Sequence, residues 1–306
     1  MTLASCSEST PPPRRGRPPE AVVDRTAWGL DLEAGETALR DGRFDRAEDH
    51  LLAAMRSLEQ AGKKDATAVA RVHRALGKLY GEHMRKDLAV PHLEAAIEID
   101  TGARDADRRQ LLDDRRTLAV VLDAAGDHAE EERRLRQVLG EAAAAFGPNS
   151  VEAARVQVSL ADCLSRQHAY GEAEGLYRRA LPSLDEQSQP VEAAEALAGL
   201  ATVHYTQSAL RDARAELERA LGLRERYQSR QHPHVARVLY ELTAIDLAEG
   251  RLPEAEKTCG RAVAILQRSL PTTHPLRAQA TERMVDILRR RGKSQEAAKL
   301  EAELRR

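Results

Sequence analysis

Apolar residues between Leu160 and Leu181 are spaced for two amphipathic helices separated by a short polar break. Ala161 and Ala173 lie twelve positions apart, on either side of a break at 168–171. Small residues at these positions allow two helix backbones to approach closely, and larger apolar residues fill the space beside them. This stretch therefore predicts a helix–turn–helix hairpin whose two arms cross at alanine.

The same pattern recurs along the chain at a nearly constant period. Positions equivalent to Ala173 are separated by 42, 42, 42, 40, 42 and 42 residues. Such regularity is typical of stacked repeat proteins, in which each repeat packs only on its neighbours. It predicts fourteen helices in seven hairpins, an all-α solenoid that acts as a binding scaffold. The equivalent positions are Ala47, Ala89, Glu131, Ala173, Ala213, Ala255 and Ala297.

Individual copies share a leucine, followed in copies two and five by Gly or Ala, then a later Ala, a larger residue and a final small–apolar pair, and copy six adds a glycine at the turn. The residues are Leu76, Gly77, Tyr80, Ala89, Leu93, Ala96 and Ile97 in copy two, Leu200, Ala201, Ala213, Leu217, Ala220 and Leu221 in copy five, and Leu242, Gly250, Ala255, Cys259, Ala262 and Val263 in copy six. They resemble the tetratricopeptide repeat (TPR). The 42-residue period and the His-Pro openings at His232 and His274 are similar to the longer kinesin-light-chain variety. The resemblance implies a right-handed α-solenoid of about seven TPR hairpins, whose first helices line a concave side that holds extended peptides.

The repeats divide the chain into two regions. The array is expected at 25–306, with hairpins at about 27–62, 67–103, 109–146, 151–188, 191–230, 233–272 and 275–306. Residues 1–24 are rich in Pro and Arg and have no apolar face to bury, so they are predicted to be disordered.

One cysteine in the first region is a possible lipidation site. The stretch from Leu3 to Cys6 resembles the lipobox of bacterial lipoproteins, in which the cysteine is lipidated. Only five residues precede Cys6, whereas a signal peptide needs a charged start and an apolar run of ~7–15 residues. The chain is therefore expected to be cytoplasmic, with a membrane-anchored lipoprotein as the alternative if the true start lies upstream.

The third copy has Glu131 where the others have alanine. A carboxylate at a close helix crossing is costly unless it is paired. We therefore expect either that this hairpin opens locally or that Glu131 reaches solvent, with Arg115 as a candidate partner. The alternative functional interpretation is a buried acid with a raised pKa.

Composition excludes several function classes. Net charge is −2, so no overall field favours nucleic acid, and specific nucleic-acid binding is not expected. No apolar run approaches the ~18 residues of a membrane span. Motifs of phosphate-binding loops, dinucleotide folds, zinc proteases and serine hydrolases are missing from the sequence, which argues against an enzyme.

Isolated reactive residues are interpreted structurally. Cys163 and Cys259 are distant in sequence and are predicted to be core residues. His232 and His234 flank a proline at a repeat junction, where capping is a better interpretation than metal binding. The pair Asp113 and Asp114 is interpreted as solvated surface. No catalytic residue, metal or cofactor is expected.

The candidate site is the concave side that the resemblance implies. The basic residues at positions 71, 74 and 78 share one helix face. An arginine guanidinium can bind a carboxylate through two parallel hydrogen bonds. This basic stripe therefore predicts an acidic extended partner. The alternative interpretation is ordinary surface charge. Asp162 and Glu195 are also expected to face inward. The predicted groove residues are Arg71, Arg74, Lys78, Arg116, Arg155, Tyr205, Arg237 and Tyr240.

Kinesin-light-chain grooves use Asn side chains to hold a peptide backbone, and this chain lacks them. The equivalent positions are Glu33, Ala75, Thr117, Ser159, Gly199, Glu241 and Arg283. This departure argues against the same mode of peptide binding.

Three functions are open from the sequence. The first is a scaffold that binds another protein through an extended, acidic segment. The second is an envelope-anchored assembly factor tethered at Cys6. The third is a regulatory module that senses a peptide or small-molecule signal. The identity of the partner and the oligomeric state are not encoded in a recognisable way.

Overall fold

The computed structural model describes residues 26–62, 65–103, 106–122 and 128–304, without the side chains of 303 and 304. These residues form fourteen α-helices and no strand, which confirms the all-α prediction. A short 3-10 turn, Leu181–Ser183, follows α8. The helices are α1 (Ala27–Arg40), α2 (Phe44–Gln60), α3 (Ala66–Glu82), α4 (Lys86–Gly102), α5 (Arg108–Leu122), α6 (His128–Phe146), α7 (Val151–Arg166), α8 (Tyr170–Ala180), α9 (Pro190–Thr206), α10 (Leu210–Tyr227), α11 (Pro233–Ala248), α12 (Leu252–Ser269), α13 (Pro275–Arg290) and α14 (Ser294–Leu304).

Consecutive helices pair into hairpins that stack side by side, and small residues set how closely they cross. A Cβ added to Gly35 would lie 2.7 Å from the Leu51 Cγ, and one on Gly77 would lie 2.6 Å from the Leu93 Cγ. Larger side chains do not fit at these crossings. The alanines predicted at the crossings are at most 1% exposed, namely Ala47, Ala89, Ala173, Ala213, Ala255 and Ala297.

Helix boundaries follow from local chemistry. The Ser150 hydroxyl accepts a hydrogen bond from the Ala153 N–H at 3.1 Å and so caps α7. His232 and His274 cap α11 and α13 by accepting a backbone N–H two residues ahead through Nδ1. Helix α8 ends at Ala180, and the 3-10 turn that follows contains Pro182. Proline has no backbone N–H with which to continue the α-helical hydrogen bonds.

Glu131 is paired, but not with the predicted residue. Its side chain is 1% exposed, and Arg166 donates to both carboxylate oxygens at 2.7 and 2.6 Å. Arg115 instead donates to Glu141 at 2.7 Å. The prediction of Arg115 as partner was wrong because the cation comes from the neighbouring hairpin, where α7 ends beside the start of α6.

The first two hairpins meet the sixth and seventh, which sequence periodicity did not predict. The His234 Nε2 lies 3.1 Å from a Glu82 carboxylate oxygen, and the His274 Nε2 lies 3.2 Å from the Glu82 carbonyl. A Cβ on Gly42, at φ +70°, would lie 2.5 Å from the Pro233 Cδ. We call this set the closing contact. It brings the last hairpins into contact with the first.

Candidate functional site

The first helices of successive hairpins are joined by polar contacts between their side chains. Lys78 of α3 donates to Asp113 of α5 at 2.8 Å, Arg116 of α5 donates to Ser159 of α7 at 2.9 Å, and Arg155 of α7 reaches Glu192 of α9 at 2.5 Å. These contacts place α3, α5, α7 and α9 side by side with a shared polar face. This face is the candidate binding surface.

The predicted basic stripe is largely neutralised within the protein. Arg71, 43% exposed, pairs with Glu36 of α1 at 2.9 Å. Lys78, Arg116 and Arg155 hold the carboxylate or hydroxyl partners described above. The residues of the stripe are therefore brought together, but each is paired with a carboxylate: Arg71, Lys78 and Arg155 with one from an adjacent hairpin, and Arg116 with Asp113 of its own helix.

Arg74 departs from the expectation that it lines a groove. Its side chain is 12% exposed, and it donates to both oxygens of Asp114 at 2.8 Å and to Asp100 at 2.6 Å. Arg74 lies buried between α3, α4 and α5. Two carboxylates from the neighbouring helices, those of Asp100 and Asp114, balance its positive charge there.

The acidic pair on α5 is not solvated surface. Asp114 is fully buried, and burial raises its pKa even though Arg74 acts in the opposite direction. Burial also disfavours the Asp113 anion, but the Arg116 guanidinium and the Lys78 ammonium outweigh it and hold the pKa of Asp113 far below its usual range. Both carboxylates connect neighbouring hairpins.

A cavity of roughly 240 Å³ opens between α7, α8, α9 and α11. It joins charged residues from the first helices of three consecutive hairpins. It is lined by Asp162, Ser165, Arg166, Tyr177, Glu195, Ala198, Gly199, Thr202, Arg237 and Glu241. We call it the central cavity.

Tyr177 reaches the central cavity from α8 through a gap at Gly199. The ring is 1% exposed, and its hydroxyl donates a short hydrogen bond to an Asp162 oxygen. A Cβ on Gly199 would lie only 2.4 Å from the Tyr177 Cζ. Burial, with the nearby Asp162 carboxylate, raises the pKa of Tyr177 far above its usual range, so the hydroxyl stays a donor. Glycine at 199 thus allows Tyr177 to fix the orientation of Asp162.

Three charged groups in the central cavity make no hydrogen bond or ion pair within the described part of the chain. No hydrogen bond or ion pair joins Glu195, Arg237 or Glu241 to another described residue, and the Arg237 Nε and Glu241 Oε2 are buried. Burial raises the pKa of Glu241 to about 7, which Arg237 opposes and Asp162 reinforces. Buried polar atoms without partners are uncommon in folded proteins. They mark this cavity as a place where a ligand would supply the missing contacts.

The remaining predicted residues lie elsewhere. Tyr205 of α9 is 39% exposed. The Tyr240 ring is covered by the Arg283 guanidinium, 3.7 Å from the ring centre, and Arg283 donates to the Tyr240 carbonyl at 3.0 Å. Neither tyrosine lines the central cavity, whereas Arg237 does. Cys6 lies outside the described residues.

Sequence reasoning placed Asp162, Glu195 and Arg237 on the inner face, but it missed the role of Tyr177. Tyr177 occupies a position where four other copies have leucine, one has cysteine and the last has glutamate, and the repeat pattern interprets it as a core residue. The available signal was glycine at 199, the only glycine at its repeat position.

The described residues offer little for other chemistry. They contain no cluster of three or more His, Cys, Asp or Glu side chains that could hold a metal ion. Burial raises the pKa of Cys163 and Cys259 to about 12, so neither thiol is an activated nucleophile. None of the described helices combines the length and apolar character needed to cross a membrane.

The tetratricopeptide repeat family model matches residues 26–101. No curated protein sequence matches the chain significantly. The structure of apo RapI is similar with a TM-score of 0.59 and 14% identity, over 91% of this chain and 97% of that chain.

Two further solved structures are similar. The Rap conjugation gene regulator of plasmid pLS20, in complex with the Phr* peptide, has a TM-score of 0.60 and 11% identity, over 86% of this chain and 84% of that chain. A putative kinesin light chain from Podosopora anserina, with nearly identical TPR-like repeats, has a TM-score of 0.52 and 20% identity, over 65% of this chain and 95% of that chain. At these identities the similarity concerns the fold. Residues 26–101 thus match the tetratricopeptide repeat family, and the fourteen stacked helices of the described residues form an all-α solenoid with the same fold as these structures.

Proposed function

We propose that this chain is a non-enzymatic protein-interaction scaffold that receives an extended segment of another protein on its concave side. One observation carries the proposal: Glu195, Arg237 and Glu241, from two different hairpins, line one cavity without partners.

Unpaired groups of this kind lower the stability of the ligand-free protein. Leaving a buried donor or acceptor unsatisfied costs ~1–3 kcal/mol, and more for charged groups. A peptide that enters the central cavity offers backbone N–H and C=O groups and charged side chains to these atoms. Binding would therefore offset the free-energy cost of these unsatisfied groups, which the ligand-free protein carries.

The paired cations extend the proposed surface toward the N-terminal hairpins. An acidic segment could replace Glu36 beside Arg71, because both side chains of that pair are at least one-third exposed. Exposed ion pairs contribute only ~0.2–1 kcal/mol, so such an exchange is nearly neutral. Acidic residues would then add weak, salt-sensitive binding, and the exposed Tyr205 would add apolar contact.

The comparisons support a peptide ligand by analogy of fold. The Rap regulator of plasmid pLS20 holds the Phr* peptide in its solved structure. The closing contact between the last and first hairpins supports a mode in which helices surround such a segment.

The test is a selection of random dodecapeptides against the immobilised protein, followed by affinity measurements for enriched sequences by fluorescence anisotropy. Arg237→Ala should weaken binding by about 10-fold or more, because it removes the guanidinium that would donate to the peptide backbone in the central cavity. The matched control is Arg133→Ala, at a 64% exposed position on α6, which should leave the affinity unchanged. Equal effects of the two substitutions, or none, would place binding elsewhere.

A further inference from the structure

The central cavity has an excess of negative charge. Three carboxylates line it, those of Asp162, Glu195 and Glu241, against a single uncommitted guanidinium, that of Arg237. The second arginine of the lining, Arg166, donates to both carboxylate oxygens of Glu131.

Charged groups on the other surrounding helices are also engaged. Arg224 of α10 is 2% exposed and donates to Gln228 and to the Nδ1 of His234. Glu82 of α3 accepts from His234 of α11. Arg224 therefore makes no hydrogen bond to the carboxylates of the cavity, and Glu82 is itself an anion.

Two of the carboxylates have raised pKa values, which means that their ionised forms are disfavoured in the ligand-free protein. Burial, followed by the Glu195 carboxylate, raises the pKa of Asp162 to about 6, although the Tyr177 hydroxyl acts in the opposite direction. Burial likewise raises the pKa of Glu241, with Asp162 contributing to the rise. Neighbouring carboxylates in a buried site raise each other's pKa, and here the Arg237 guanidinium opposes the rise at Asp162 and Glu241 without cancelling it.

We propose that the central cavity binds an organic cation, an ammonium or guanidinium group, between the carboxylates of Asp162, Glu195 and Glu241. The space available, roughly 240 Å³, is far larger than the ~10–15 Å³ that one water needs. Arg237 donates to a carbonyl oxygen next to the cation. If the cation is a lysine or arginine side chain of the partner segment, this inference rests on the proposed function.

Tyr177 prepares the site for such a ligand. Its hydroxyl occupies Oδ1 of Asp162 and leaves Oδ2 available. The ligand thus meets an Asp162 carboxylate that is already oriented, which reduces the entropy lost on binding.

Binding should be coupled to proton release. A bound cation favours the ionised carboxylates, so protons held by Asp162 and Glu241 near neutral pH must leave. Because their pKa values in the free protein are about 6 and about 7, affinity should rise as the pH increases from about 5 to 8.

The experiment is isothermal titration calorimetry at low ionic strength with three probes. The first is a capped pentapeptide with one lysine between glycines, the second has glutamine in place of lysine, and the third is putrescine. We expect the lysine peptide to bind more tightly at pH 7.5 than at pH 5.5, with proton release seen in buffers of different ionisation enthalpy. The glutamine peptide should not bind. Putrescine binding as tightly as the lysine peptide would identify a free amine as the ligand, and weaker binding would identify a side chain of a partner.

Variants separate binding from folding. Glu241→Gln should weaken lysine-peptide binding by about 10-fold to 100-fold. It should also raise the unfolding midpoint at pH 8, since it removes a strained anion. Glu218→Gln, at a 61% exposed position on α10, is the matched control and should change neither. Equal binding of the lysine and glutamine peptides, no lysine-peptide binding at ~10 mM, or equal effects of the two variants would overturn the inference.

The two proposals fail separately. Selected dodecapeptides that depend on Arg237, combined with no lysine-peptide binding, would leave the scaffold proposal standing without the cation site. Lysine-peptide binding without Arg237-dependent dodecapeptides would leave the cation site standing without the scaffold proposal.

Discussion

Replacing Gly199 with alanine should disconnect Tyr177 from Asp162. The added Cβ would lie 2.4 Å from both the Cζ and the hydroxyl oxygen of Tyr177, and 2.5 Å from Cε1. These atoms belong to a rigid ring that is 1% exposed, so no flexible end can move aside. The ring must shift by more than 1 Å to restore ordinary contact distances near ~3.5 Å. Its hydroxyl would then leave Asp162.

The expected loss of stability has three parts. Overpacking costs ~1–3 kcal/mol. Loss of a hydrogen bond to a charged group costs ~1.5–3 kcal/mol. Replacing a helical glycine with alanine returns about 1 kcal/mol. The free energy of unfolding should therefore fall by about 1.5–5 kcal/mol, as measured by urea denaturation followed by circular dichroism.

A second substitution provides the control. Tyr177→Leu with Gly199→Ala reproduces the pair Leu51 and Ala75, which occupies the equivalent positions between the first two hairpins. In the double variant, alanine at 199 should no longer destabilise relative to Tyr177→Leu alone. If Gly199→Ala stabilises the otherwise unchanged protein, or destabilises both backgrounds equally, the role assigned to the glycine is incorrect.

Three further predictions concern the solenoid. Ala173→Leu should destabilise by about 1–3 kcal/mol through overpacking at its helix crossing, and hydrogen exchange should show the loss concentrated in adjacent hairpins; uniform loss would contradict nearest-neighbour packing. Arg166→Ala should lower the free energy of unfolding by about 1.5–3 kcal/mol, because it removes two hydrogen bonds to buried Glu131. Arg115→Ala should lower it by under about 1 kcal/mol. The reverse order in urea denaturation would favour Arg115 as the partner of Glu131. The pKa of His232 is lowered to about 3 by burial and by nearby cationic groups, so the folded protein binds fewer protons there than the unfolded chain. Stability should fall by about 2 kcal/mol from pH 7 to pH 5, and His232→Asn, which can still cap the helix, should flatten that slope in urea midpoints.

The fold was predictable from sequence because it depends on short-range periodicity. Alanine at intervals of 42 or 40 residues, replaced only by Glu131 in the third copy, fixes where two helices cross, and each hairpin packs only on its neighbours. The close burial of Ala47 and Ala255 therefore follows from local pattern alone. The closing contact does not, because small rotations between hairpins accumulate before Glu82 meets His234, 152 positions away.

The candidate site was predictable only in part. Register placed Asp162, Glu195 and Arg237 on the inner face, since one face of each first helix must be polar. Which charges would be neutralised depended on side chains from adjacent hairpins. Arg74 finds Asp100 and Asp114, while Arg237 finds no carboxylate within hydrogen-bonding distance. Pairing across hairpins of this kind is not visible in a one-dimensional pattern.

The most direct measurement of the central claim is site-specific photo-crosslinking of a selected dodecapeptide. A benzophenone amino acid at Thr202, an exposed position in the lining of the central cavity, is compared with the same group at Glu218 on α10. Binding in the central cavity predicts that mass spectrometry finds the peptide attached at 202 and not at 218. Attachment at 218 alone, or at neither position under saturating peptide, would contradict it.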